Sequence, residues 1–483
     1  MNYRCVFQLL SLLLIVEAVV MIGCGVLSWF VGDGAVAGFG IAALVVLIVA
    51  LSLRMAAGRH VRYQLSERDS FWVTSLAWIV VPVMGCLPFM LTGQAHRWVD
   101  ALFESFSGFT TTGSTIFDDP ACLPISVLVW RSLTQWVGGL GLVLLMVALM
   151  RRISHGTWYL YDAEFSGTQQ RRLYPKLSGS VGRMAIVYVS VSLALVFILL
   201  LLGNNPIDSV CLALSTTSTG GFMTSSVGLA GLGNATLIVI TLFMFMSGVN
   251  LAVIYNVVTF KWRRLHRLDE FRAYVVVYFV AVALSVIALL LAHNDWRSAV
   301  GFSLFHIAST ISTCGFYAYS PAHWTFGVSV ITFFLLFVGA SSGATGGGVK
   351  VKRILVLTRY IRNYFTRIVY PHAVFNVKVD GMVLTDEYNN KVFAFVFTYL
   401  AFVLGGAFLL TLSGCDIPTS VTLAAANMCN LGPVPVDGLL GVSASYLALP
   451  TLSKYTLMVL MVAGRIEIFA LLAIFSPAYW RKK

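Results

Sequence analysis

The sequence predicts an all-α polytopic membrane protein. About ten transmembrane helices form four pseudo-symmetric helix–pore loop–helix repeats around one central pore, with two extra helices at the N-terminus. Three observations carry this reading: an apolar composition, a one-sided distribution of basic residues, and a loop sequence that recurs four times. Hydrophobic residues make up 58% of the 483 residues and charged residues only 11%, with a mean hydropathy of +0.86. Soluble domains carry about 25% charged residues, so a soluble enzyme, a disordered tail and a secreted disulfide scaffold are excluded. Eight cysteines are scattered singly without a CxxC pair, which fits neither a zinc site nor a disulfide framework.

Apolar runs between charge clusters define ten spans, at 8–30, 36–53, 70–92, 127–150, 184–203, 235–259, 273–293, 324–349, 392–413 and 455–478. The first run is too long for the apolar core of a signal peptide and reads as a retained helix. Of the 32 basic residues, 27 fall at Arg4, 54–68, 151–183, 261–272, 350–391 and 481–483. Ten spans put all of these segments on one side. Positive residues stay in the cytoplasm, so both termini are expected there, and the net charge of +12 speaks to orientation rather than to nucleic acid.

The opposite loops between spans 3 and 4, 5 and 6, 7 and 8, and 9 and 10 each hold a short helical stretch followed by small and hydroxyl residues. Non-helical backbone at membrane depth is tolerated only where protein surrounds it. Anchored on Gly113, Gly221, Gly315 and Gly432, the four segments align. Two positions before the glycine stand Thr111, Thr219, Thr313 and Asn430; three before it stand Thr110, Ser218, Ser312 and Cys429. The position just before it holds Thr112, Gly220, Cys314 and Leu431, and six before it stand Ser107, Ser215, Ser309 and Ala426. The anchors recur at intervals of 94 to 117 residues. One chain thus encodes four pore units.

Four such loops around an axis can turn backbone carbonyls inward and replace the hydration shell of a monovalent cation. Glycine reaches the dihedrals that line carbonyls up, Thr and Ser add hydroxyl acceptors, and a helix C-terminus aimed at the axis favours a cation. No acidic residue lies in the aligned columns, which argues against a divalent site built of carboxylates. The competing reading of such segments is an ordinary helix-packing surface.

The repeats, including Gly108-Phe109-Thr110-Thr111-Thr112-Gly113-Ser114, Thr313-Cys314-Gly315-Phe316 and Asn430-Leu431-Gly432-Pro433, resemble the Trk/Ktr/HKT superfamily of potassium transporters, nearest its bacterial TrkH branch. The resemblance covers essentially the whole chain. It implies potassium as substrate, held at Thr111, Thr112, Thr219, Gly220, Thr313, Cys314, Asn430 and Leu431. One aligned glycine per loop, against a fuller glycine-tyrosine-glycine filter, predicts weaker discrimination against sodium.

Two further segments belong to the same resemblance. The stretch 339–350, with Gly343, Gly346, Gly347, Gly348 and Lys350, cannot sustain a helix, since each glycine costs about 1 kcal/mol relative to Ala. The eighth span is therefore expected to break. The family places a gating loop here; a phosphate-binding P-loop is excluded because Val349 follows Gly348 and no strand precedes it, while a packing notch stays open. Arg465 lies about 24 Å from Arg481 along a helix, too deep to snorkel, and should face protein or a water-filled cavity. In the family an arginine here is a barrier to cations; the alternative is a helix–helix salt bridge, with Glu467 paired elsewhere. Glu104 is expected to brace the filter, with Arg131 as one candidate partner. His306 reads as a structural residue, and Glu17 has no assigned role.

The repeats divide the chain into 1–69 for the N-terminal pair, then 70–183, 184–272, 273–391 with the gating loop, and 392–483. No nucleotide motif or cofactor site is present in the sequence. Family resemblance implies a homodimer in a bacterial inner membrane, docked on a cytosolic TrkA-like ring whose nucleotide, ATP/ADP or NAD, sets gate opening. The basic segments 151–183 and 350–391 are its expected docking surfaces, unless their charge serves topology alone. No metal-ligand cluster or nucleophile–base pair suggests an enzyme. The remaining rival is a proton- or sodium-coupled transporter of an organic solute, although such proteins usually show two repeats. Channel and cation symporter are not separated by these residues.

Overall fold

The computed structural model describes residues 2–58, 66–141, 177–258, 268–318, 325–370, 376–432, 446–466 and 468–477. The inner half of span 127–150, most of 151–183, Pro433, Glu467 and the basic tail lie outside the described residues. Helices dominate; the one sheet described is a two-stranded hairpin, Lys378–Val379 with Met382–Val383. The chain is a helical polytopic membrane protein.

Helices Tyr3–Val31 and Val36–Ala57 form an N-terminal hairpin packed on the first repeat. Asn2 caps the first helix, and its backbone N–H donates to Asp69 at 3.0 Å. Asp69 also closes a capping box with Ser66, so one carboxylate joins two helix starts. At the other end Asp33 accepts from Ala35 N and, at 2.9 Å, from Ser126 N. That bond ties the hairpin turn to the helix Ile125–Leu140.

Each repeat has a leading helix, a short pore helix, a loop and a trailing helix. The leading helices are Glu67–Gly85, Leu177–Leu201, Asp269–Leu291 and Asp386–Leu412. The pore helices are Trp98–Phe109, Pro206–Thr217, Trp296–Ile311 and Ile417–Met428. The trailing helices begin at Ile125, Asn234, Phe326 and Thr451. Leading helices two to four turn Phe197, Val276 and Phe397 outward, as a lipid-facing wall requires. The pore helices are enclosed; in the first, every residue from Asp100 to Phe109 is buried.

Six described helices are long and apolar enough to cross a membrane. The trailing helices are not among them, because they are broken or end early. The first ends at Gly141, the second bends by 116° between Ser247 and Leu251, and the third gives way to 339–350 before Val351–Val369. The fourth stops at Arg465 and resumes at Phe469. Sequence reasoning expects a break in the eighth span alone; the structure also breaks the second and fourth trailing helices, and caps the first at Gly141.

A buried ion pair fastens the first repeat to the last. Lys454 Nζ lies 2.5 Å from Asp100 Oδ1, both nearly inaccessible, and donates to Leu447 O. Removing one partner of a buried pair typically costs about 3–5 kcal/mol, whereas replacing both with apolar groups is often neutral. Lys454→Met should therefore lower the melting temperature in detergent sharply, and Asp100→Leu combined with Lys454→Met should restore most of it. Equal melting of the two variants would show that the pair contributes little.

Candidate functional site: a four-loop filter and the gate beneath it

The aligned columns acquire a physical meaning at the ends of the pore helices. Their last turns close at Thr110, Ser218, Ser312 and Cys429. In every repeat the next residue turns left-handed: Thr111 at φ 57°, Thr219 at 56°, Thr313 at 60° and Asn430 at 54°. The following N–H then reaches back five positions, from Thr112 to Ser107 O at 2.9 Å, Gly220 to Ser215 O at 2.8 Å, Cys314 to Ser309 O at 2.9 Å and Leu431 to Ala426 O at 2.9 Å. This is a Schellman cap, whose left-handed position is usually Gly and sometimes Asn. A β-branched Thr there is strained by about 1–3 kcal/mol. Three repeats accept that strain, and the fourth uses the residue that tolerates it.

The anchor glycine is left-handed as well, at φ 85° for Gly113, 81° for Gly221 and 83° for Gly315. Left-handed residues two apart turn the chain repeatedly without coiling it. Gly432 does not share the positive φ, so the fourth loop leaves the pattern at its anchor, in keeping with its divergent sequence.

The loops close into a ring in chain order. A methyl added to Gly113 would overlap the Gly220 carbonyl oxygen, and one on Gly221 would overlap that of Cys314. One on Gly315 would come within 3.0 Å of Gly432 N, and one on Gly432 within 3.0 Å of Thr112 O. Gln135, from the first trailing helix, stitches the second loop to this ring, with Nε2 donating to Gly220 O at 2.7 Å and Oε1 accepting from Phe222 N at 3.2 Å. Asn430 Nδ2 bridges the fourth loop to the first through Thr112 Oγ1 at 3.1 Å.

Two oxygens two places before the anchors have no hydrogen-bond partner although fully buried: Thr111 Oγ1 and Asn430 Oδ1. Buried acceptors are normally satisfied. Their equivalents are engaged, since Thr219 Oγ1 donates to Ser218 O at 2.6 Å and Thr313 Oγ1 accepts from Gly347 N at 2.9 Å.

Behind the first two loops sits the expected Glu104–Arg131 pair, at 2.8 Å and inaccessible. Glu104 accepts from Thr115 Oγ1 and Ile116 N at 3.0 Å, while Arg131 donates to Thr115 Oγ1 at 3.0 Å and Met223 O at 3.2 Å. The Arg131 guanidinium lies over the Phe222 ring at 4.2 Å. Each charge is paired and its remaining valences are used, the condition for burying an ion pair. His306 bonds Thr332 at 2.7 Å and stacks on Phe302, as a structural residue.

The glycine-rich segment and Arg465 meet on the side where the pore helices end. Thr345 reaches Thr217 O and Ser247 O of the second repeat at 3.4 Å. Gly346 lies against Ser312 O and Thr313 Oγ1 of the third, and Gly347 against Cys429 O and Asn430 Oδ1 of the fourth. Arg465 spans the remaining gap, donating to Gly138 O at 2.7 Å, to Gly139 O at 3.3 Å and to Thr345 O. Loop and arginine together contact all four repeats. Ser341 N donates to Gly248 O, Asn250 Nδ2 to Ser342 O, Leu251 N to Gly343 O and Ser342 N to Glu270. Lys350, left-handed at φ 77° and buried, carries the chain into Val351–Val369.

Sequence reasoning missed Gln135, the Asp100–Lys454 pair, Asn250 and Glu270. The breaks had a signal in the trailing-helix glycines. Gly138 has no room for a side chain against Phe109 O, nor Gly464 against Met428 O; Gly139 and Gly248 abut Ser218 and Ser312 of the next repeat.

Gly113→Ala should abolish transport, because the added methyl meets a backbone oxygen of the neighbouring loop. Gly93→Ala is the matched control: φ is 76° but nothing lies within 4 Å, so it should cost only about 1–2 kcal/mol of backbone strain and keep transport. Loss in both, measured by isotope uptake, would mean that strain rather than ring closure matters.

The family model for TrkH, described as a cation transport protein, matches residues 39–482. The Trk system potassium uptake proteins TrkH of Halomonas elongata and of Escherichia coli are 31% and 29% identical to this chain, each over all of both chains. The crystal structure of the potassium transporter TrkH from Vibrio parahaemolyticus matches with a TM-score of 0.89 at 28% identity, again covering both chains fully. The chain belongs to the TrkH family of cation transport proteins.

Proposed function

We propose that this protein takes up potassium through the four-loop ring and is not an enzyme. One observation carries the reading: four Schellman-capped pore helices end on one ring, with unpartnered Thr111 Oγ1 and Asn430 Oδ1 beside it. These oxygens, with the carbonyls of the filter residues, are the ligands offered to a dehydrating cation. The C-terminal ends of the pore helices favour positive charge on the axis. Hydroxyl, amide and carbonyl oxygens without carboxylates suit a monovalent ion better than calcium.

Both termini lie in the cytoplasm of a bacterium in this reading, and the ion moves inward across the inner membrane. The membrane potential supplies about 2.3 kcal/mol per charge per 100 mV. The segment 339–350 is the gate, and Arg465 locks it while adding a repulsive charge below the filter. The helix Val351–Val369 follows the gate directly, so a pull on it draws Lys350 and Gly348 out from under the ring. A TrkA-like cytosolic ring bound to ATP/ADP or NAD, docked on a homodimer of this chain, supplies that pull.

Rubidium uptake into liposomes, with sodium as competitor, tests the filter. Wild type should take up rubidium against excess sodium, and Gly113→Asp should not. Equal uptake by both would remove the filter assignment and favour a coupled transporter of an organic solute. The gate has its own test. Arg465→Ala, and alanines at Gly346, Gly347 and Gly348, should change uptake severalfold while leaving rubidium-to-sodium preference intact. A change of preference without a change of rate would place these residues in the filter instead.

A further inference from the structure

Glu17 stands near the middle of the 29-residue helix Tyr3–Val31. Its side chain is buried, and neither carboxyl oxygen has a hydrogen-bond partner. It borders a small cavity of about 20 Å³, lined also by Val16, Val81, Phe109, Trp130 and Thr134. A space of that size holds about one water. The polar groups around it are already committed. Trp130 Nε1 donates to Gly85 O at 3.3 Å, and Thr134 Oγ1 donates to Arg131 O at 2.6 Å. Gly85 packs so closely on the carboxyl that a methyl there would come within 2.9 Å of Glu17 Oε1.

The charged and titratable groups of the neighbouring elements are engaged elsewhere. Asp69 caps its own helix. Asp100 binds Lys454, and Glu104 binds Arg131. The Cys86 thiol, which is within electrostatic reach of Glu17, donates to Val83 O at 3.1 Å. A carboxylate buried without a counter-charge or donors is far too costly to persist, whereas a neutral acid needs at most one water.

We propose that Glu17 is a proton-binding site coupled to the filter. It holds a proton in the state described here and releases it when water reaches the cavity. Phe109, which forms one wall, is the last residue of the first pore helix. A negative charge in this position stands behind the start of the first filter loop, where it raises cation occupancy through a poorly screening interior. This coupling rests on the potassium-conduction reading above; the proton site itself does not.

Infrared spectra of the reconstituted protein test the site without any ion flux. Wild type labelled with isotopic glutamate should show the C=O stretch of a buried carboxylic acid, which Glu17→Gln lacks and which fades in wild type at alkaline pH. Glutamine keeps the shape of the neutral acid, so the variant should fold. Rubidium uptake in the same liposomes should rise about threefold from mildly acid to alkaline pH in wild type and stay flat in Glu17→Gln. If no acid band is lost in the variant, Glu17 is ionised and the site is wrong. If the band is lost but the two uptake profiles superimpose, the coupling is wrong. If uptake fails in both proteins while the band behaves as expected, the conduction reading fails and the proton site stands.

Discussion

Four loops approach one another so closely that two of their anchor positions have no space for a β-carbon and the other two leave it only a tight fit. That constraint organises the rest of the structure. A methyl on Gly113 or Gly221 would overlap a carbonyl oxygen of the next loop, so the ring closes only with glycine at these positions. The same closeness brings the pore helices to the axis, and the trailing helices must then pack beneath them without side chains at Gly138, Gly139, Gly248 and Gly464. Helices that carry glycine at their tightest contact also break there. Ring closure and helix breaks are two results of a single packing requirement.

The proposed gate follows from the breaks. An unbroken trailing helix would have no free peptide groups to offer at mid-membrane. The third trailing helix instead releases a loop whose residues reach repeats two, three and four, and the fourth ends in an arginine that reaches the first. The closure is made largely of backbone contacts and one guanidinium, an arrangement that can be undone without dismantling the core. The charged pairs do the opposite work. Glu104–Arg131 and Asp100–Lys454 are inaccessible and hold the first repeat to the second and the fourth.

Much of this was legible in the sequence. The apolar runs, the basic segments and the fourfold alignment point to the architecture, and the family resemblance points to Glu104 as a brace, with Arg131 as one candidate partner. The cap of the first trailing helix at Gly141 and the breaks in the second and fourth are not legible there. Nothing in the sequence says that Gly138 and Gly464 meet the end of their own repeat's pore helix, or that Gly248 meets Ser312 of the next repeat. A similar reason hides Gln135 and Glu270: the first acts on backbone of another repeat 85 residues away and the second on a backbone N–H 72 residues away, and one chain gives no cue to such pairings. The Thr column is visible in the sequence but its conformation is not, since a left-handed Thr contradicts its own propensity and is imposed by the cap.

The central claim is that a cation loses its water at the ring beside Thr111, Thr219, Thr313 and Asn430. Anomalous diffraction from crystals grown in rubidium, with sodium-grown crystals as reference, tests it most directly. The account predicts a rubidium peak on the axis within coordination distance of these residues, and its loss in Thr111→Val combined with Asn430→Leu. Rubidium found only away from the ring, or a peak that survives the double substitution, would contradict it.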